Sequence, residues 1–208
     1  MSVKKLAVVT AGLSQPSSTR LLADRLVDAT VEAATLDGTE VQTTVIELRD
    51  IAQDITNNLL TGFPSARLQE AVDAVAGADG LIAVTPIFSA SYSGLFKSFF
   101  DVIDNTALEG LPTAIAATGG SARHSLALEH ELRPLFSYLK AITLPTAVFA
   151  ASEDWGAGAD GVSALPARVR RAGRELATAL AASERSSLVR DEFALDADFS
   201  PFGPVSAE

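Results

Sequence analysis

The sequence predicts an α/β fold in which a parallel sheet carries helices on both faces. Apolar, strand-like runs alternate with segments of helical periodicity along most of the 208 residues. The stretch 80–85 is almost wholly apolar, as expected for a central strand that is covered on both sides. No repeat, low-complexity linker or other sign of a boundary interrupts the pattern, which indicates one domain.

The first half of the chain predicts two strands and two helices. The apolar run 5–10 predicts strand one. Helix one follows over about 17–36, because apolar residues recur at helical spacing until an Asp-Gly pair ends the pattern. β-branched residues predict strand two over 41–48. The segment from Asn57 to Pro64 is predicted to be a loop, and one apolar face predicts helix two over about 65–76.

Strand three is the apolar stretch named above, and helix three is predicted over about 94–105. A short apolar run predicts strand four at 113–117. Helix four is predicted over about 125–141, with an apolar face and a kink at its proline. Strand five at 146–150 and helix five over about 163–182 complete the alternation.

Five strands that alternate with five helices imply a parallel sheet with right-handed crossovers. For a chain of this length the flavodoxin-like strand order 2-1-3-4-5 fits best. A ligand then binds beyond the carboxyl ends of strands one, three and four, where the strand order reverses. We expect residues 1–183 to form this domain, and the less regular tail 184–208 to be extended or packed on a partner subunit.

Composition excludes several classes of function. The formal net charge of −10 argues against a nucleic-acid partner, which needs a basic surface. The absence of cysteine excludes disulfides and thiolate metal sites, and two histidines are too few for an all-histidine metal centre. No apolar run reaches the length of a membrane span and no signal peptide is evident, so we expect a cytoplasmic protein without a membrane partner.

The loop after strand one predicts a phosphate site. Backbone N–H groups at the start of helix one lack internal partners, and the helix dipole places partial positive charge there. The loop has neither the lysine of a P-loop nor a G-x-G-x-x-G turn, so it suits a single phosphate monoester. Alternatively, one of two adjacent serines only caps the helix. The hydroxyl candidates are Ser14, Ser17, Ser18 and Thr19.

The loops after strands three and four are suited to a flat ring. One mixes a proline, aromatic rings and small hydroxyl residues, and the other has paired glycines that allow close backbone approach. The alternatives are that the two aromatic rings belong to the core and that the glycines form only a tight turn. Together with the phosphate loop, they predict a phosphorylated planar heterocycle, for which flavin mononucleotide (FMN) is the natural candidate. The candidate contacts are Pro86, Ile87, Phe88, Ser89, Ala90, Ser91, Tyr92, Thr118, Gly119, Gly120 and Ser121.

The same loops carry a resemblance to a known family. The run from Thr85 to Lys97, with Phe100-Asp101, resembles the second signature of the NAD(P)H-dependent FMN reductases. The first loop resembles a variant of that family's phosphate pattern, but it has Leu13 after the glycine and no arginine before Ser17. The third loop and the helix after it resemble the flavin-reductase branch of the family. The resemblance covers about residues 3–180.

The resemblance implies a flavodoxin-like homodimer or tetramer with FMN at the subunit boundary. It also implies hydride transfer from NADPH or NADH to FMN, and release of reduced FMN to a separate flavin-dependent monooxygenase. The cofactor carries the chemistry, so no catalytic acid or base is assigned. Arg123 and His124 are candidates for contacting NAD(P)H, and the alternative for His124 is a cap on helix four.

Three other interpretations remain open at this stage. The protein could be a flavodoxin-like electron carrier with no nicotinamide reaction of its own. It could instead deliver electrons to a quinone, an azo dye or a metal ion. A serine hydrolase would pair Ser121 with His124 or His130, but the segment lacks the last glycine of the G-x-S-x-G nucleophile turn.

Overall fold

A computed structural model describes residues 3–155 and 164–185. Four parallel strands form the body of the sheet in the order β2-β1-β3-β5. This is the predicted order, with predicted strand four as β5. The strands are β1 (Lys4–Thr10), β2 (Val41–Glu47), β3 (Gly80–Phe88), β4 (Ser91–Tyr92), β5 (Pro112–Gly119), β6 (Ile142–Thr143) and β7 (Val148–Ala151).

The described sheet has seven strands rather than five, for two reasons. The predicted loop after strand three contains β4, which folds back antiparallel on the end of β3. Predicted strand five at 146–150 corresponds to β7, and a further short strand, β6, precedes it; both pair with β5 in parallel. The sheet is therefore parallel except for one short hairpin.

The break between β6 and β7 is stabilised by side chains from two helices. Pro145 lies in the break and has no N–H to donate. Arg133 donates to the Leu144 carbonyl at 3.1 Å. Glu175 accepts the Thr146 N–H at 2.9 Å and the Thr146 hydroxyl at 2.7 Å. The backbone groups that have no strand partner at the break are thus hydrogen-bonded to side chains.

Helices cover both faces of the sheet, as predicted. On one face, α1 and α6 bury side chains such as Leu22 and Leu176 against Val8 and Ile82 of the strands. On the other face, α2 to α5 pack against the alternate strand residues. The helices are α1 (Ser18–Leu36), α2 (Ala52–Thr61), α3 (Ala66–Ala76), α4 (Gly94–Asp101), α5 (Arg133–Tyr138) and α6 (Ala164–Ala182).

The predicted loop from Asn57 to Pro64 is wrong over most of its length, because α2 runs to Thr61. The helix buries Ile55 and ends at Gly62, whose φ of +77° is the left-handed conformation that glycine adopts at no steric cost. The hydroxyls of Thr56 and Thr61 donate to backbone carbonyls one turn earlier, so both hydroxyls are hydrogen-bonded within the helix.

Helices three and four also differ from prediction. Predicted helix three ends at Asp101 rather than near residue 105. Predicted helix four is two short pieces, namely a π-helical segment at Leu128–Leu132 and α5, and a 3₁₀ turn at Ala122–His124 precedes them in the predicted third loop. Pro134 lies at the start of α5 and cannot donate to the preceding turn, so the widened segment precedes it.

The chain after α6 is held against the opposite end of the sheet from the predicted ligand loops. Arg185 donates to the carbonyls of Ala76 at 3.2 Å and Ala107 at 2.6 Å, and also to that of Glu109. Burial lowers the pKa of Arg185, although the nearby acids Asp79 and Glu109 oppose this. Arg185, the second residue of the predicted 184–208 tail, is thus docked on the domain, and residues 186–208 lie outside the described part.

Among the helices that the structure describes, none combines the length and apolar character needed to cross a membrane. In the same residues, no cluster of three or more histidine or acidic side chains could hold a metal ion.

Candidate cofactor-binding site

A cavity of about 450 Å³ lies at the carboxyl ends of β1, β3, β5 and β7. Its size falls within the range typical of small-ligand sites. It brings together parts of all three predicted loops and one loop that the sequence analysis did not consider. The lining residues are Leu13, Ser14, Ser18, Thr19, Pro86, Ile87, Phe88, Thr118, Gly119, Gly120, Ser152 and Trp155.

Two adjacent serines of the first loop have different roles. Ser17 has extended backbone angles and its hydroxyl accepts the Arg20 N–H at 3.2 Å, so it caps α1. Ser18 is the first residue of the helix and lines the cavity, as Ser14 does. A Cβ at Gly12 would collide with the Ser17 hydroxyl, so the loop can fold this tightly only with glycine there.

A buried hydrogen bond joins the first and third loops. The hydroxyls of Thr19 and Thr118 lie 2.9 Å apart, and both residues line the cavity. One hydroxyl donates to the other, which leaves one hydroxyl hydrogen for a further acceptor. The α1 N-terminus is thereby fixed to the end of β5.

The arginine that follows the first loop is engaged by carboxylates. Arg20 donates to Asp24 at 2.7 Å and also contacts Glu47. The hydrogen bond to Asp24 is the largest cause of a raised Arg20 pKa. Arg49 lies 3.2 Å from Glu47, so this carboxylate is shared by two arginines. Donors for an anion at the α1 N-terminus therefore come from hydroxyls and backbone N–H groups.

The second loop places Phe88 and Tyr92 in different environments. Pro86, Ile87 and Phe88 line the cavity, and Phe88 is 48% exposed at its edge. Tyr92 lies outside the lining and packs against the core, with its ring 6.0 Å from that of Phe96. The alternative that both aromatic rings belong to the core therefore holds for Tyr92 but not for Phe88.

The rest of the second loop forms a rigid turn outside the cavity lining. Ser89 and Ala90 both have positive φ, 48° and 71°, in the two-residue connection between β3 and β4. Such angles are costly for residues other than glycine, so the surrounding contacts must hold them. The Ser91 hydroxyl donates to Glu131 at 3.0 Å, and the Thr85 hydroxyl accepts the Ser93 N–H at 3.1 Å.

The third loop presents backbone to the cavity. A Cβ at Gly119 would lie 2.8 Å from the ring of Phe149, whereas one at Gly120 would meet open space. Ser121 is not in the lining, and its hydroxyl accepts the Arg123 N–H at 3.3 Å. Arg123 and His124 are exposed beside the glycines, also outside the lining.

The structure does not support a hydrolase at this loop. Among the residues that the structure describes, neither histidine side chain hydrogen-bonds the Ser121 hydroxyl, and His124 contacts Ser121 only through its backbone N–H, which donates to the Ser121 carbonyl at 3.2 Å. A serine nucleophile needs a hydrogen bond between its hydroxyl and the side chain of its base. The Ser121 hydroxyl instead caps the 3₁₀ turn that follows it.

The sequence analysis missed Leu13, Ser152 and Trp155. Ser152 and Trp155 belong to a 3₁₀ turn that directly follows β7. The switch-point argument considered only strands one, three and four, so it gave no reason to examine the end of strand five. The available signal was the single tryptophan of the chain, placed just after an apolar strand.

The residues present fit FMN. One end of the cavity offers hydroxyls and the N-terminus of a 19-residue helix, which suit a phosphate dianion. The other end offers proline, aliphatic and aromatic surface opposite paired glycines, which suits a flat ring. The hydroxyls and backbone groups between them are donors and acceptors of the kind that a polyhydroxylated linker requires.

Comparisons with known proteins agree with this assignment. A family model described as NADPH-dependent FMN reductase matches residues 4–156. The chain is 39% identical over 173 residues to an FMN reductase (NADPH) of Pseudomonas aeruginosa, covering 83% of this chain and 90% of that protein. It is 38% identical over 174 residues to the NADH-dependent FMN reductase SfnF of Pseudomonas fluorescens, with the same coverage.

A solved structure extends the similarity to three dimensions. An oxidoreductase from Corynebacterium diphtheriae has a TM-score of 0.84 and 45% identity, over 87% of this chain and 98% of the other. With a family match over most of its length and relatives that are 38–39% identical over 83% of it, the chain belongs to the NADPH-dependent FMN reductase family.

Proposed function

We propose that this protein is an NAD(P)H:FMN oxidoreductase that transfers a hydride from NADPH or NADH to FMN and releases reduced FMN to a separate flavin-dependent monooxygenase. The observation that carries the proposal is the cavity with two chemically different ends, built from loops that the family signature includes. When bound, FMN supplies the ring nitrogen that accepts the hydride.

The residues of the chain bind and orient the flavin. Ser14, Ser18 and Thr19, with the first N–H groups of α1, hold the phosphate. The segment 86–88 supports one side of the ring, and Gly119 with Gly120 brings backbone N–H groups to its edge. The bond between Thr19 and Thr118 keeps these two ends at a fixed separation.

The nicotinamide approaches from the open side of the cavity. Leu13 and Phe88 are 55% and 48% exposed there, and offer apolar surface to a second ring. Arg123 and His124 are exposed beside the glycines. In the part of the chain that the structure describes, no carboxylate pairs with Arg123, so its charge is available to a phosphate of NADPH or NADH.

We further propose that the protein is a homodimer or tetramer. Leu59, Leu60 and Phe63 lie within five residues at the end of α2 and are 49%, 81% and 80% exposed. Such a group of large apolar side chains is expected to pack against another protein surface. A second copy of this chain is the occupant that the family resemblance implies.

An FMN titration followed by flavin fluorescence tests the function, with NADPH or NADH then added under anaerobic conditions. We expect saturable binding, followed by bleaching of the oxidised flavin band by at least one nucleotide. Filtration after reduction would then find reduced FMN in the filtrate, as release to a partner requires.

Two results would contradict the proposal. Binding without bleaching by either nucleotide would identify an electron carrier. No binding would mean that the cavity does not accept FMN. Rapid reduction with flavin retained by the protein would keep the reductase but replace the monooxygenase by an acceptor, such as a quinone, that comes to the bound flavin.

A further inference from the structure

We propose that Trp155 and Ser152, on the turn after β7, contact the phosphate end of FMN and raise the preference of the cavity for FMN over riboflavin. This inference rests on the proposed function. It assigns a fourth loop to the flavin site, in addition to the three loops at the switch point.

Strand pairing brings this turn to the site. β7 pairs with β5 so that Ala150 lies opposite Thr118 and Ala151 opposite Gly119. The turn therefore begins beside the end of β5, where Thr118 is hydrogen-bonded to Thr19 of the phosphate loop, and it packs on the face that α1 covers. The cavity is lined by Ser152 and Trp155 together with Ser14 and Ser18 of the phosphate loop.

The turn is firmly attached to the domain. The Asp154 carboxylate accepts the Ala151 N–H at 2.8 Å, which closes the turn on the end of β7. Arg168 of α6 lies 3.6 Å from the same carboxylate and donates to the Phe149 carbonyl at 3.1 Å. Because Asp154 is paired in this way, its negative charge is compensated by Arg168 rather than directed at an anion in the cavity.

Trp155 is held against α1. Its ring packs on the apolar cluster between α1 and α6, and the guanidinium carbon of Arg25 lies 4.8 Å from the ring centroid. Arg25 is seven residues after Ser18, so the two residues share a face of the helix. Trp155 therefore stands beside the first turns of α1, where the phosphate is expected.

In the part of the chain that the structure describes, two donors on this turn have no competing partner. Within residues 3–155 and 164–185, the Trp155 indole N–H donates to no acceptor and Arg25 pairs with no carboxylate. Ser152 is exposed and its hydroxyl is likewise without a hydrogen bond in this part of the chain. Since Arg20 is engaged by Asp24, the Trp155 N–H and the Ser152 hydroxyl are the lining donors available to a phosphate on this side.

The experiment compares FMN with riboflavin, which lacks the phosphate. Trp155→Phe keeps an aromatic wall but removes the N–H, and Ser152→Ala removes the hydroxyl. We expect each change to weaken FMN binding by about tenfold while riboflavin affinity changes less than about twofold, because a lost hydrogen bond to a charged group has this size. Dissociation constants are measured by flavin fluorescence, and thermal unfolding verifies the fold of each variant.

Thr35→Ala is the matched control, because Thr35 lies on α1 but 17 residues beyond Ser18, about 25 Å along the helix. It should leave both affinities unchanged. Equal losses for the two flavins, or no loss for FMN, would overturn the inference while leaving the reductase intact. Failure of the unaltered protein to bind FMN would instead overturn the proposed function, before any variant is compared.

Discussion

Ser17 and Ser18 are chemically identical neighbours that the fold uses differently. The Ser17 hydroxyl accepts the Arg20 N–H, and Ser18 faces the cavity. The sequence predicted hydroxyl donors here, with a capping serine as the alternative. Which serine caps depends on the residue at which α1 begins, and sequence patterns locate helix ends only to within a few residues. The capping role is confirmed for Ser17, and the phosphate contact of Ser18 stays a prediction.

We predict opposite effects for the two alanine variants. Ser17→Ala should lower the free energy of unfolding by about 1 kcal/mol, the usual cost of a lost N-cap, and leave FMN affinity almost unchanged. Ser18→Ala should weaken FMN binding by about 1.5–3 kcal/mol, because the lost hydrogen bond is to a charged group. Urea unfolding and FMN titration measure the two quantities. A loss of FMN affinity in Ser17→Ala alone would reverse the assignment.

At the level of elements, Glu175 connects α6 to the break between β6 and β7. Burial alone would raise the pKa of Glu175, but its hydrogen bonds with the Thr146 hydroxyl and N–H, together with Arg171, lower it below the usual value of 4.5. A carboxylate with a lowered pKa stabilises the fold above its unfolded pKa, and this contribution is lost as the pH falls through the folded pKa.

We therefore predict that Glu175→Gln is less stable than the unaltered protein near neutral pH. The difference should shrink as the pH falls below about 4.5, where the unfolded chain begins to bind the proton. Urea unfolding at a series of pH values measures it. Glu129, whose hydrogen bond with Arg133 also lowers its pKa, is present in both proteins and cancels in the difference. If the free energies of unfolding of the two proteins changed in parallel with pH, Glu175 would not be the source of this pH dependence.

Elements were predictable where apolar periodicity was strong. β1, β3 and β5 and the helices around them follow the predicted pattern, because their buried residues recur with the period of the element. α2 was missed because Asn57, Asn58 and Thr61 are weak helix formers, and only burial of Ile55 and the left-handed Gly62 compensate. β6 was not predicted, and the break between it and β7 depends on tertiary contacts of Arg133 and Glu175.

At the scale of the whole molecule, the exposed side chains at the end of α2 predict self-association. Leu60→Asp combined with Phe63→Ser should reduce the molar mass measured by light scattering, because both side chains are largely exposed in the single chain. Leu36→Asp is the matched control, since Leu36 is 83% exposed, compared with 81% for Leu60, but lies at the end of α1. An equal mass for all three proteins would exclude this surface as the interface.

The site as a whole was predictable for three loops and not for the fourth. The carboxyl ends of parallel strands meet at one edge, so the loops after β1, β3 and β5 could be placed together from chain order alone. The turn after β7 joins them only because β7 pairs with the far end of β5 after a break at Pro145. Its position depends on a strand register that local sequence does not encode.

The single tryptophan gives the protein an intrinsic fluorescent probe at the cavity. Because Trp155 lies on the cavity wall and the chain has no other indole, all tryptophan emission originates at this one place. That emission overlaps the absorption of oxidised flavin, so energy transfer should quench it whenever a flavin is seated and restore it when the cavity empties. Quenching of Trp155 emission during a titration with oxidised FMN therefore reports occupancy of the cavity independently of the flavin's own emission.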